Sequence, residues 1–117
     1  AYYVRDSHSV QFFSFDDGEG CRLYTALSRD IVAHEVGHAI LDGIAPSLYN
    51  AITPHSLALH EAIADVTALL MSFFSHSLRG IVLSHTGGSI RQSTAFSSVA
   101  EEFGRAIARR LRRLQGY

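Results

Sequence analysis

The stretch DIVAHEVGHAILDG, Asp30 to Gly43, and the shorter HEAIAD, His60 to Asp65, decide how this chain is read. In the first, Ile31, Val32, Val36, Ala39 and Ile40 are expected to give a helix its buried face. Ser28 suits the N-cap, Asp30 suits the first turn, and Gly43 is the natural stop, so a helix is expected over 28–43. His34 and His38 are four residues apart, which on a helix means about 6 Å of rise and roughly 40° of rotation. Both imidazoles therefore leave one face and can converge on one metal ion. Zinc takes such nitrogens at about 2.0–2.1 Å. Glu35 sits on the flank of the same face, close enough to act on a water without ligating the ion, in the H-E-x-x-H pattern.

Two ligands leave a catalytic zinc site incomplete, because it needs a third protein ligand and an open fourth position. The second stretch offers that ligand. Thr53 and Pro54 read as N-cap and first residue of a helix over 54–76. Its body, SLALHEAIADVTALLMSFF, is apolar almost all round and is expected to be deeply buried. Glu61 and Asp65 lie one turn apart on it, and burying two carboxylates is costly unless they are paired or bound to metal. Glu61 is thus assigned as third ligand. Asp65 is assigned to accept the free ring N–H of a zinc-bound histidine. A lone His-x-x-x-His pair is often incidental; here Glu35, Glu61 and Asp65 support the metal reading. His8, His55, His76 and His85 read as surface or locally hydrogen-bonded residues.

Outward from these helices, AYYVRDSHSVQFFSF is rich in Tyr, Phe and Val around a polar centre. It predicts a β-hairpin within 1–20, with strands near Ala1–Val4 and Val10–Phe15. DDGEG follows as a solvated turn, since its spacing is not that of an EF-hand loop. Glycines and serines between Arg79 and Ser93 predict a loop. A last helix is expected over 94–114, with Ser98 and Glu101 at capping-box spacing and Val99, Phe103, Ile107, Leu111 and Leu114 as its apolar stripe. Arg105, Arg109, Arg110, Arg112 and Arg113 near its end read as a solvated face. The expected class is α+β: one domain over 1–117, in which an antiparallel hairpin packs on two zinc-binding helices and a C-terminal amphipathic helix covers the other side.

Bulk composition agrees with one globular domain: 117 residues, 47% of them hydrophobic. A net charge of −1 gives no whole-molecule field for nucleic acid. The longest apolar run, Val66 to Phe74, is interrupted by Thr67 and Ser72, so no membrane span is expected. No signal-peptide pattern opens at Ala1, and secreted and cytoplasmic locations both stay open. Cys21 is the only cysteine, which rules out an internal disulfide. All ten basic residues are arginine, read as compositional drift.

HEVGH followed by the E-x-x-x-D of HEAIAD resembles the gluzincin metallopeptidases, specifically the thermolysin family. AYY resembles the family's edge strand, which binds peptide by strand addition, and FFSFDDGEG resembles the strand and turn that follow. The resemblance runs from Ala1 to about Phe74. It implies a zinc metalloendopeptidase, with a peptide or protein as substrate and one zinc ion held by His34, His38 and Glu61. It makes Glu35 the general base, Asp65 the residue that orients His34, and Tyr49 a donor to the oxyanion. It implies that Ala1 and Tyr2 pair with substrate backbone and that Ile31 touches the pocket beyond the scissile bond. The departures are specific. His60 stands where the family usually has Asn. Asp30 matches one calcium ligand, but Ser72 falls where a bridging acid is expected, so calcium is not expected. The family's second oxyanion donor, a histidine of a large C-terminal helical domain, has no clear counterpart; His85 alone lies near the right order. Two other readings remain beside the peptidase: a catalytically impaired binding module stapled by zinc, with His60 or His55 as fourth ligand, and a latent zymogen or fragment of a larger thermolysin-like protein.

Overall fold

The structure is a computed structural model that describes residues 1–18, 20–50, 53–89 and 91. The helix expected over 94–114 lies outside the described residues. Among the described residues the class is α+β, with two small antiparallel strand pairs followed by four helices.

β1 (Tyr2–Val4) pairs with β2 (Ser9–Gln11), Tyr2 opposite Gln11 and Val4 opposite Ser9. The turn between them puts His8 in the left-handed region at φ 47°, where its N–H donates to the Arg5 carbonyl at 3.1 Å. The expected second strand, Val10 to Phe15, is instead split. β3 (Ser14–Asp16) turns away to pair with β4 (Arg22–Tyr24) in a second hairpin. Thr25, just past β4, fixes the break: its buried hydroxyl accepts from the Phe13 N–H at 3.0 Å and donates to the Phe13 carbonyl at 2.9 Å. A two-residue alternation cannot reveal such a break, because it runs on through contiguous Phe and Val.

The turn of this second hairpin holds Gly18 at φ 88° and Gly20 at φ 86°, values that favour glycine. It is not wholly solvated as expected. Asp17 is buried, and its carboxylate accepts from the Cys21 N–H at 3.2 Å, closing the turn.

α1 spans Arg29–Ile44 and runs past Gly43. Pro46 accounts for the later stop, since it disfavours a helical conformation at Ala45 and opens α2 (Pro46–Asn50) within the expected connector. Ser28 holds the N-cap position, yet its hydroxyl turns to the Asp30 carboxylate rather than to a helix N–H. α3 spans Pro54–Phe74, with the Thr53 side chain accepting from Ser56 N–H at 3.1 Å and Pro54 in the first turn. It stops before Ser75, which caps α4 (His76–Thr86) by accepting from Leu78 N–H at 3.4 Å. α4 thus occupies half of the expected loop. Ser75 and the left-handed Gly87 (φ 59°) are helix punctuation rather than loop filler.

The principal packing is α1 against α3. Small residues line the seam: Ala33 and Gly37 on one side, fully buried Ala64 and Ala68 on the other. A Cβ on Gly37 would lie 2.8 Å from the Ala64 Cα and 3.1 Å from the Thr67 side chain, so glycine sets the approach of the helices. The rest of α3 overturns the expectation of deep burial. Leu57, Leu59, Val66, Leu70, Met71 and Phe74 are all exposed. Only one face meets α1, and α4 covers little more. At 21 residues and mean hydropathy 1.5, α3 is also long and apolar enough by composition to cross a membrane. The apolar run Val66 to Phe74, on which the expectation of no span rests, is only its last nine residues.

Candidate metal centre

The α1–α3 seam brings three side chains to one point. His34 and His38 leave α1 one turn apart, with their Nε2 atoms 3.2 Å from each other. Glu61, reaching across from α3, places Oε2 at 3.3 Å from His34 Nε2 and Oε1 at 3.6 Å from His38 Nε2. These ligating atoms lie within 4.8 Å of one another, and the group could hold a metal ion. The chemistry of the donors fits: two imidazole nitrogens and one carboxylate suit a divalent transition metal.

The neighbours prepare the donors. Asp65, one turn beyond Glu61, sits with Oδ1 at 2.9 Å from His34 Nδ1. If that contact carries the proton on Nδ1, the His34 lone pair is left on Nε2, the atom that faces Glu61. Burial lowers the His38 pKa below its ordinary 6.5, outweighing the opposing pull of Glu61, while His34 adds to the lowering. His38 is therefore held neutral, as a ligand must be.

Glu61 and Asp65 are not the buried pair expected from the apolar sequence of α3. The side chains of Glu61 and Asp65 are 64% and 63% exposed. They stand on a part of α3 that α1 does not cover. What draws attention to them is where they point, not a desolvation penalty.

Glu35 is buried and lines the same cleft as both histidines, outside the metal-holding group. The cleft holds about 400 Å³, with Ala1, Tyr2 and Tyr3 on the hairpin side, and Leu57 and His60 on the α3 side. Ile31, expected to touch the substrate, is not among its lining residues. Tyr49 is, but its hydroxyl donates to the His38 carbonyl oxygen at 3.0 Å. Burial pushes that phenol up to about 12, with Asp42 adding to the shift, so it stays protonated at neutral pH. One O–H makes one donation, so Tyr49 must release the carbonyl before it can serve an oxyanion.

His60 is buried behind Tyr49, their ring centroids 4.1 Å apart, and among the described residues its Nε2 has no hydrogen-bond partner. It is not in the metal-holding group. His55 and His85 are exposed, and neither lines the cleft. His8 and His76 make local contacts to Tyr3 and Arg79. No family model matches the chain, and no curated protein or solved structure is significantly similar to it.

Two features of the site were missed in the sequence. Gly37, which sets the helix approach, left a signal: a glycine inside a helix costs about 1 kcal/mol relative to alanine and asks for a packing reason. The buried Asp42, joined to Tyr3 and Arg5 of the hairpin, left none, because its partners lie 37 and 39 residues away.

Proposed function

We propose that the chain is a zinc-dependent metallopeptidase, with His34, His38 and Glu61 holding zinc and Glu35 acting as general base. The observation that carries this reading is the convergence of the donors: the two imidazole Nε2 atoms stand 3.2 Å apart, and the Glu61 carboxylate sets Oε2 at 3.3 Å from His34 Nε2 and Oε1 at 3.6 Å from His38 Nε2. Donors at about 2.0–2.1 Å from a tetrahedral zinc stand about 3.3 Å apart, close to the separation of the two imidazole nitrogens. When bound, zinc supplies a Lewis acid that acidifies water and polarises a carbonyl.

The chain's own residues have distinct tasks in this reading. Asp65 holds the His34 ring. Glu35, buried at the cleft wall, takes a proton from the attacking water as its oxygen bonds to the scissile carbonyl carbon. It passes that proton to the amine nitrogen as the C–N bond breaks, leaving a carboxylic acid, which keeps the water's other proton, and an amine. Among the described residues β1 pairs along one edge only, with β2, and its other edge can accept an extended peptide by strand addition. Among the described residues no fourth side chain joins the metal-holding group, which favours an open position over a purely structural staple.

The test is Glu35→Gln. The variant should bind zinc as tightly as the wild type and lose hydrolysis of a protein substrate by about 10²–10⁴-fold, the usual worth of a general base. Equal turnover by wild type and variant would exclude the mechanism.

A further inference from the structure

A second polar cluster lies on the far side of Tyr49 from the metal-holding group. Asp42, in the last turns of α1, is 5% exposed. Its Oδ2 accepts from the Tyr3 hydroxyl at 2.9 Å, and Arg5 Nε lies 3.0 Å from its Oδ1 as an ion pair off the hydrogen-bond line. The remaining guanidinium nitrogens donate to the Asn50 side chain at 2.7 Å and the Pro46 carbonyl at 3.0 Å. Tyr3 and Arg5 are two residues apart, so they leave the same face of the strand and its turn. Tyr2 faces the other way, is exposed, and lines the cleft. Tyr3 lines the cleft as well, so the cluster grips the hairpin at the cleft wall.

Its reach extends to the histidines through Tyr49. That ring meets Tyr3 edge-on at 6.2 Å, lies under the Arg5 guanidinium at 5.6 Å, and bonds through its hydroxyl to the carbonyl of His38. A buried carboxylate is costly when a partner is removed, so this arrangement resists displacement of β1. We propose that Asp42, with Arg5 and Tyr3, is a positioning clamp: it sets the separation of the β1 edge from His34, His38 and Glu61, and so sets how tightly an extended peptide is held. Asp42 touches neither peptide nor metal. This inference rests on the peptidase reading for the identity of the ligand.

Asp42→Asn in the full chain, loaded with zinc, tests it. Peptide affinity is read twice: as KM for casein hydrolysis, and as fluorescence anisotropy of fluorescein-labelled casein peptides on a Glu35→Gln background. Both should weaken by about tenfold, the equivalent of one charge-assisted hydrogen bond, with kcat and zinc affinity unchanged. Arg5→Lys, which keeps the charge and loses the fork, should fall between wild type and Asp42→Asn. The double variant should be no worse than Asp42→Asn alone, because the two residues act as one unit. Unchanged peptide affinity in both variants, or a loss of zinc affinity in step with it, would overturn the clamp. If the wild type binds peptide without hydrolysing it, the mechanism fails and the anisotropy still decides the clamp. If it binds none, both fall.

Discussion

α1 and α3 contribute to the same site in opposite ways. α1 delivers His34, Glu35 and His38 from a packed face, with Glu35 buried and both imidazoles largely covered. α3 delivers Glu61 and Asp65 as exposed carboxylates on a helix whose apolar side chains are themselves largely exposed. One half of the site is held by its surroundings. The other half is held by the distance between two helix axes. The position of Glu61 is therefore only as good as the seam, and the seam rests on small residues: Gly37 against Ala64, and fully buried Ala68.

Gly37→Ala breaks that dependence most directly. Alanine is the better helix former by about 1 kcal/mol, so α1 alone would gain. The added Cβ meets backbone at 2.8 Å, which no rotamer change relieves, so the helices must separate. Overpacking of this kind costs about 1–3 kcal/mol, and a shift of about 1 Å at a catalytic site can cost a hundredfold in rate. On the proposed peptidase reading, the expected outcome is weaker zinc binding and much lower turnover, with helix content retained by circular dichroism. Wild-type zinc affinity in Gly37→Ala would show that Glu61 does not depend on the seam.

Asp65→Asn sharpens the comparison from the α3 side. Residues that orient a metal ligand are worth about 10–100-fold in metal affinity. Asp65 is 63% exposed, and solvent screens its charge, so the lower end is expected: about tenfold in zinc affinity by competition with a chelator. The Asn side chain can still accept from His34 Nδ1, so the loss measures charge more than orientation. No change at all would mean that His34 is oriented by its packing on α1 alone.

The same contrast governs what the sequence revealed. His34, Glu35 and His38 were legible because four-residue spacing on one helix fixes their geometry without tertiary information. Thr53 and Pro54 announced the start of α3 for the same local reason. Glu61 and Asp65 were picked out through an argument about burial that the exposed surface of α3 removes, although their spacing put them on one face. The second hairpin, α2 and α4 escaped because their signals were short or were read as loop composition. Asp42 escaped because nothing local distinguishes a carboxylate that will meet Arg5 and Tyr3 across the fold.

The smallest effect expected is a dependence of stability on pH through His38 in the metal-free protein. Its folded pKa is lowered, first by burial, below the ordinary 6.5 of the unfolded chain. Above about 6.5 the group is neutral in both states and contributes nothing to the slope. As pH falls below that value, unfolded His38 takes up its proton before folded His38 does, so the unfolded state is favoured and stability declines. The decline ends once pH passes below the folded pKa, where both states are protonated. Urea unfolding of chelator-treated protein should show a lower midpoint at pH 5.5 than at pH 7.5, and His38→Asn should flatten part of that difference. On the proposed reading, bound zinc acts in the same direction, because it would compete with protons for the imidazole and its loss on acidification would remove a stabilising ligand. Comparing metal-free and zinc-loaded protein separates the two: the metal-free slope belongs to packing around α1, and the excess in the loaded protein belongs to the ion. An identical metal-free slope in wild type and His38→Asn would mean that the α1 half of the site is less enclosed than its burial indicates.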